Sequence, residues 1–386
     1  MHALSNVTIL TPERTIRHGV VLVDEGRISH VGQRDSVTVP PQAEVIDSRG
    51  ALVAPGLIDL QLNGAFGHDF TSDPTAMWTA AAELPRYGVT AFLPAIISTK
   101  LDTVEGAQDV WLGGPPADFR GAQPLGLHLE GPYLNPEYRG AHRRAHLRLP
   151  NLDDLVHWSP ATGVRLVTLA PELPRMQWLI SLLAERGILV GAGHSAATFE
   201  EARQGFDAGV RYVPHLFNAM SGLHQRRPGL VGAALADERV SIGLIADGVH
   251  VHPAVVKLIW QLTYDGRLNL VSDATAGLGM PPGSYRLGDQ PVTVEGGRVE
   301  RADGTLAGTV LRLDQALRNL QQYTGCALTD ALAAVTATPA RLLGLGRHKG
   351  QVRPGFDADL VLLNADLQPT LTMVAGEIVY RAAESG

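Results

Sequence analysis

The segment GILVGAGHSAATFEEARQGFDAGVRYVPHLFNAM, Gly187–Met220, carries the pattern that decides the fold. An apolar run, Ile188–His194, leads into a stretch with helical spacing, Phe199–Ala208, and then into a second apolar run, Tyr212–Phe217. Short apolar runs bounded by glycine read as buried parallel strands, and a helix between two of them is a βαβ crossover. The alternation continues in both directions. Eight runs can be counted: Gly56–Asn63, Val89–Ser98, Leu125–Glu130, Val164–Ala170, Ile188–His194, Tyr212–Phe217, Val240–Asp247 and Leu268–Asp273. Further helical stretches lie at Pro74–Tyr87, Arg175–Glu185 and Pro253–Tyr264. Eight strand–helix repeats over about 290 residues predict an α/β protein built on a (β/α)8 TIM-like barrel, residues 54–345. A doubly wound open sheet is the alternative, but eight repeats suffice to close a barrel and no GxGxxG follows an early strand.

The chain ends read differently. Ser5–Leu10, Gly19–Asp24, Arg27–Gly32 and Glu44–Asp47 are short strand-like runs, as are Asp359–Asn364, Leu371–Val374 and Glu377–Arg381. Gly26, Gly50, Pro40-Pro41 and Ala375-Gly376 punctuate them as turns. Two β-rich ends flanking a different middle predict a small, discontinuous β-sandwich domain from residues 1–53 and 346–386. The 386-residue length, too great for one barrel, agrees.

Composition removes several classes of function. A 45% hydrophobic content with a net charge of −7 excludes intrinsic disorder, and the mild acidity argues against a nucleic-acid partner. No apolar stretch approaches about 18 residues, so no membrane partner is expected. Met1–Thr15 lacks a basic segment followed by an apolar run, so a cytoplasmic location is expected. Cys326 is the one cysteine, which excludes an internal disulfide and a thiolate metal cluster. With 42 glycines and 25 prolines the chain is rich in turns. Attention therefore falls on its 14 histidines.

Polar residues gather at the C-terminal ends of the runs: Gln61 and Asn63, His128 and Glu130, His194, His215, Asp247 and His250, and Asp273. In a barrel that end is the active-site face. A lone strand-end histidine is more often a structural hydrogen-bonder; six such positions converging on one mouth favour a shared site. Glu130, His194 and His215 form a His2Glu set of the kind that holds a catalytic zinc with a position open for water. One divalent metal per subunit is expected, with zinc first and iron, cobalt or manganese also suited to these donors. His128 is either a partner of this set or core. Asp273 is the candidate general base, able to take a proton from a metal-activated water and pass it to a leaving group. The glycine-bearing segment Asp273–Gly279 reads as a close, mobile loop suited to gating. Asn218-Ala219 offers backbone N–H groups and Arg226-Arg227 planar cations, both suited to an anionic ligand. His142 and His250 are loop histidines without a core role.

These residues resemble the N-acetylglucosamine-6-phosphate deacetylases of the amidohydrolase superfamily. The resemblance rests on Pro55–Leu60 with Gln61–Gly64, His128–Pro132 with Gly140–His142, Gly193–Ser195, His215–Met220, Arg226–Gly229, Asp247–His250, Ser272–Thr275 and Leu306–Gly308, in that order along nearly the whole chain. It implies the barrel and the sandwich. It also implies Glu130, His194 and His215 as metal ligands and Asp273 as the acid/base. Substrate contacts are implied from Ala141, His142, Asn218, Ala219, Arg226 and His250, and from the backbone of Leu306, Ala307 and Gly308. The implied partner is a phosphorylated amino sugar, and the implied assembly a homodimer in which Arg226, or its neighbour Arg227, reaches the other subunit's phosphate site. Many superfamily members open with His-x-His for a second metal, whereas this chain has Gln61-Leu62-Asn63. Amides are poor ligands beside imidazole, so one metal is expected. Lys100, Lys257 and Lys349 are the only lysines and none lies in the fourth run, which disfavours a lysine-bridged dinuclear site. The expected reaction is hydrolysis of the acetamide of N-acetyl-D-glucosamine 6-phosphate to glucosamine 6-phosphate and acetate. Competing readings are a deacetylase of another phosphorylated N-acetylhexosamine such as N-acetylgalactosamine 6-phosphate, a cyclic-amide hydrolase or deaminase, and a non-catalytic binding protein on the same fold.

Overall fold

A computed structural model describes residues 1–10, 15–263 and 266–383. Each of the eight apolar runs contains one strand: β1 Leu57–Leu62, β2 Val89–Ile97, β3 Leu127–Glu130, β4 Val164–Leu169, β5 Leu189–Ala192, β6 Tyr212–Val213, β7 Ser241–Leu244 and β8 Leu268–Leu270. Neighbours pair in parallel from β1 through β8. Asp273 N–H then donates to Gln61 O at 2.9 Å and Asn63 N–H to Ala274 O at 2.8 Å, which closes the ring between β8 and β1. The strands are shorter than the runs because the polar ends leave the ladder. His194, His215 and Asp273 all have positive φ, which a continuing strand does not allow.

Helices cover the outside. Phe199–Ala208 forms as predicted, started by a capping box between Thr198 and Glu201. Arg175–Glu185 becomes Met176–Glu185, and Pro74–Tyr87 becomes Ala76–Glu83 with a 3-10 turn at Leu84–Tyr87. Pro253–Tyr264 is helical over Pro253–Leu262, and Tyr264 lies outside the described residues. Buried Leu60, Phe92, Leu166, Ile242 and Leu270 fill the core that these layers enclose. Among the described residues no helix is long and apolar enough to cross a membrane.

The chain ends meet in one sheet. Leu360–Leu363 runs antiparallel to Leu52–Pro55, which pairs with His2–Leu10; Thr15–Asp24 and Arg27–Gln33 extend one arm, Pro369–Val374 and Glu377–Arg381 the other. Glu44–Asp47 branches from His2–Leu10. Val21, Val23 and Ile28 of one arm share an apolar core with Leu360, Leu362 and Met373 of the other. The two layers expected from the sequence are thus arms of one hydrogen-bonded sheet.

Two features differ from expectation. Gly283–Leu287, Gln290–Glu295 and Arg298–Glu300 form a three-stranded antiparallel sheet inserted after β8, which the reading of the runs did not include. Its two-residue turns, Gly288-Asp289 and Gly296-Gly297, carry one and two glycines and are of the hairpin type. The segment expected to be a mobile gate, Asp273–Gly279, is instead packed: Ala274 through Leu278 are buried, and Thr275 N–H is bonded to Thr309 O at 3.0 Å. Its apolar residues join the core rather than forming a flap.

Lys349 ties the barrel to the small domain. Its ammonium lies 3.1 Å from Gln123 Oε1 beside the barrel, 3.1 Å from Asp357 Oδ2, and against Asp359. The lysine and Asp359 are both nearly buried, so truncation strands the Asp359 carboxylate in a poorly solvated place, with the partly exposed Asp357 beside it. Lys349→Met should cost about 3 kcal/mol in denaturant unfolding. A loss below about 0.5 kcal/mol would show that the contact is dispensable.

Candidate active site

The strand ends converge on a cavity of about 490 Å³ at the C-terminal mouth of the barrel. Asn63, Glu130, Ala141, His142, His194, His215, Asn218, Ala219, His250, Asp273, Leu306, Ala307 and Gly308 all line it. Gln61 is fully buried against Glu130. Arg226 and Arg227 are exposed and lie outside the lining within this chain.

Glu130 ends β3 and is the point of convergence. Its Oε1 lies 3.1 Å from His194 Nε2 and 2.9 Å from His215 Nε2, and it accepts from Gln61 Nε2 at 2.9 Å. The ligand atoms of Glu130, His194 and His215 lie within 4.8 Å of one another. Burial alone would raise the Glu130 pKa, but contacts with His142, His194 and His215 outweigh it and hold the group well below the carboxylate range. Burial depresses His194, whereas for His215 the Glu130 carboxylate overcomes burial and raises the pKa.

The donor set fits a cation. His194 Nδ1 is 3.0 Å from Tyr138 O. A carbonyl only accepts, so the hydrogen is on Nδ1 and Nε2 turns a lone pair toward the Glu130 oxygen. Two electron-rich atoms facing each other at that distance repel unless a cation or proton lies between them. The backbone carbonyl thus plays the orienting role that metal-binding histidines require.

Asp273 follows β8. Burial, and then the Glu130 charge, push its pKa up to about 6. Asn63 Nδ2 donates to its Oδ1 at 2.7 Å and so fixes one carboxylate oxygen. Gly308 approaches closely: its φ is +67°, and a Cβ there would stand 2.8 Å from Asp273 O. The positive φ of His194, His215 and Asp273 turns each side chain off its strand; held strain of this kind gathers at functional sites.

Elsewhere the structure adds partners. His250 Nδ1 is 2.7 Å from Asp247 Oδ2, and Asp247 Oδ1 accepts the N–H groups of Val249 and His250. Asn218 N–H is already bonded to His215 O, so that N–H does not offer the anion contact expected of it. His128 bonds Leu60 O and Thr168 Oγ1, which makes it part of the barrel interior.

Sequence reasoning missed Ser98, Glu172 and the inserted sheet. Ser98 N–H donates to His142 Nδ1 at 3.2 Å. It closes the second run, so the strand-end rule could have found it. Glu172, beyond the fourth run, accepts from Asn135, Ser195 and Ala196 and pins the turn after His194. The inserted sheet grips the His142 loop: Asp289 contacts Arg143 and His146, and the Gln290 amide donates to Ala141 O. Arg301, Asp303 and Thr305 bring this insertion into the cavity lining.

An imidazole–imidazole–carboxylate set at the C-terminal mouth of a parallel barrel, with a second carboxylate on the last strand, defines the class of barrel hydrolases that work with a bound metal. The chain belongs to the amidohydrolase family, whose sequence model matches residues 52–379. It is 39% identical over 353 residues to the N-acetylglucosamine-6-phosphate deacetylase of Homo sapiens, covering 87% of this chain and 85% of that one. The N-acetylgalactosamine-6-phosphate deacetylase of Escherichia coli O157:H7 is 36% identical over 386 residues, 98% of this chain and 99% of the relative. A mutant N-acetyl-D-glucosamine-6-phosphate deacetylase from Mycobacterium smegmatis, solved in complex with N-acetyl-D-glucosamine-6-phosphate, superposes with a TM-score of 0.88 at 33% identity, covering 98% of this chain and 99% of that one.

Asp289→Ala should loosen the grip on the His142 loop. The expected result is amide exchange about fivefold faster in residues 139–147, with β1–β8 unchanged. Unchanged exchange in that loop would show that the inserted sheet does not restrain it.

Proposed function

We propose that this protein hydrolyses the acetamide of N-acetyl-D-glucosamine 6-phosphate, releasing acetate and D-glucosamine 6-phosphate, in amino-sugar catabolism and recycling. The observation that carries the reading is the convergence of Glu130, His194, His215 and Asp273 on one cavity, in a chain similar over 98% of its length to such a deacetylase. Glu130, His194 and His215 would hold one divalent ion, zinc by the donor chemistry, with iron, cobalt or manganese also acceptable. When bound, that ion lowers the pKa of water and polarises an amide carbonyl.

The remaining work falls to the chain. Asp273 takes the proton of the attacking water and delivers it to the amine as the C–N bond breaks. Asn63 orients Asp273 through their shared hydrogen bond. Ala219 and His250, with the side chain rather than the backbone N–H of Asn218, would hold the phosphate, with Ala141, His142 and the backbone of Leu306, Ala307 and Gly308 around the sugar. Remote binding energy of this kind aligns the amide for attack. Arg226 or Arg227, exposed in one chain, would complete the phosphate site of the second subunit in a homodimer. The same reading divides the chain into a barrel, 54–345, and a small domain from 1–53 and 346–386, and places the protein in the cytoplasm. The Escherichia coli relative supports a second reading with N-acetylgalactosamine 6-phosphate as substrate, the same chemistry on the epimer.

Acetate release should be compared on both 6-phosphates and on unphosphorylated N-acetylglucosamine. Equal rates with and without phosphate would overturn the phosphate contacts. Asp273→Asn should lower kcat by about 10²–10⁴ while one metal per chain remains by elemental analysis; loss of the metal would make Asp273 a ligand. As a base, Asp273 must be ionised, so turnover should fall as pH drops through its pKa, pushed by burial to about 6 and pulled lower by a nearby cation. Asn63→Ala removes a hydrogen bond that favours the ionised form, so the acid limb should move to higher pH. A limb that stays in place would remove Asn63 from this role.

A further inference from the structure

Three loops of the barrel mouth meet on one carboxylate outside the cavity. Glu172, in the loop after β4, is not among the lining residues. Its Oε1 accepts from Asn135 Nδ2 at 2.9 Å and from the Ala196 N–H at 2.7 Å, and its Oε2 accepts from Ser195 Oγ at 2.7 Å. Asn135 belongs to the loop after β3, Ser195 and Ala196 to the loop after β5. All three donors are neutral, and among the described residues no lysine or arginine pairs with Glu172.

Both arms of this contact lead to His194. Asn135 N–H donates to His194 O at 2.9 Å, and Asn135 also starts the 3-10 turn Pro136–Tyr138: its side chain accepts the Glu137 N–H at 2.9 Å and its carbonyl the Tyr138 N–H at 3.0 Å. The turn ends on Tyr138 O, 3.0 Å from His194 Nδ1. The other arm holds Ser195 and Ala196, which directly follow His194 and its φ of +48°. A non-glycine backbone in that region persists only where its surroundings hold it. Glu172 thus fixes His194 from the ring side and from the chain side. Ser195 carries the tie one loop further: its N–H donates to Ala219 O at 3.2 Å, and its carbonyl accepts the Ser221 N–H at 2.9 Å, in the loop that follows His215.

We propose that Glu172 is a positioning residue: by clamping the Asn135–Tyr138 turn and the Ser195-Ala196 turn on one carboxylate, it holds the His194 ring in the orientation that binds metal and so sets the metal affinity of the site. The proposal rests on the reading of Glu130, His194 and His215 as the ligands. Glu172 touches neither ion nor substrate and acts through hydrogen-bond geometry rather than charge. A glutamine can keep one oxygen on Asn135 and Ala196 and turn its amide toward Ser195 Oγ, a hydroxyl that also accepts. An alanine leaves all three donors without their partner and uncouples the loops.

The test measures zinc affinity of the full-length protein by competition with a chromophoric chelator, and the visible spectrum of the same protein loaded with cobalt(II). Glu172→Ala should weaken zinc binding about 10–100-fold and change the cobalt bands, whereas Glu172→Gln should stay within about threefold of the unaltered protein and keep its spectrum. A plain loop brace would instead lower the melting temperature of Glu172→Ala and leave affinity and spectrum as they were; that result overturns the proposal. Equal losses in the glutamine and alanine variants would make charge the cause and overturn the hydrogen-bond assignment. Should Glu172→Ala not fold, Asn135→Ala cuts only the arm that carries Tyr138, and it should weaken zinc binding about tenfold. Unchanged affinity there would refute the route through His194. An unaltered protein that binds no zinc would overturn the metal reading itself, a result distinct from a bound metal indifferent to Glu172.

Discussion

Three side chains from three different strands approach one oxygen, Oε1 of Glu130: His194 from β5 at 3.1 Å, His215 from β6 at 2.9 Å, and Gln61 from β1 at 2.9 Å. A buried carboxylate is costly unless its partners are in place, so this contact requires the strands to be held in fixed register around the barrel. Parallel pairing from β1 to β8 provides that register, and the closing bonds between Asp273, Asn63 and β1 complete it. Those closing bonds also set Asp273 beside the same centre. Closing the fold and assembling the site thus depend on the same few backbone atoms.

The chemistry divides among similar groups by environment. Glu130, surrounded by ring nitrogens, is held ionised; Asp273, half-buried at the cavity wall near that charge, is pushed upward. One carboxyl suits a ligand and the other a proton carrier, a separation that environment alone can produce. Strained backbone at His194, His215 and Asp273 accompanies this arrangement, and the dense hydrogen bonding around it supports that strain.

Much of this could be read from the chain. Each of the eight runs holds a strand because buried parallel strands are apolar on both faces, which leaves a visible block in sequence. Glu130, His194, His215 and Asp273 stood out because the blocks end in polar residues, and barrel geometry sends those ends to one mouth. The inserted sheet, Gly283–Glu300, was harder to see. Only its inward positions, such as Val292 and Val294, are buried, so its apolar signal is half that of a barrel strand. The packing of Ala274–Leu278 was also missed, since glycines and alanines read as a flexible loop until neighbours close over them.

What the sequence determined by itself is therefore the architecture and the chemical inventory: strand–helix periodicity is local, and the residue types that can bind metal or carry protons are visible one at a time. What only the tertiary structure decided is the pairing of those groups. Ser98 reaches His142 across 44 residues, Asn63 reaches Asp273 across 210, and Tyr138 O meets His194 across 56. Tautomer, pKa and orientation depend on contacts a few ångströms long between residues distant in the chain, and such contacts exist only once the barrel has closed.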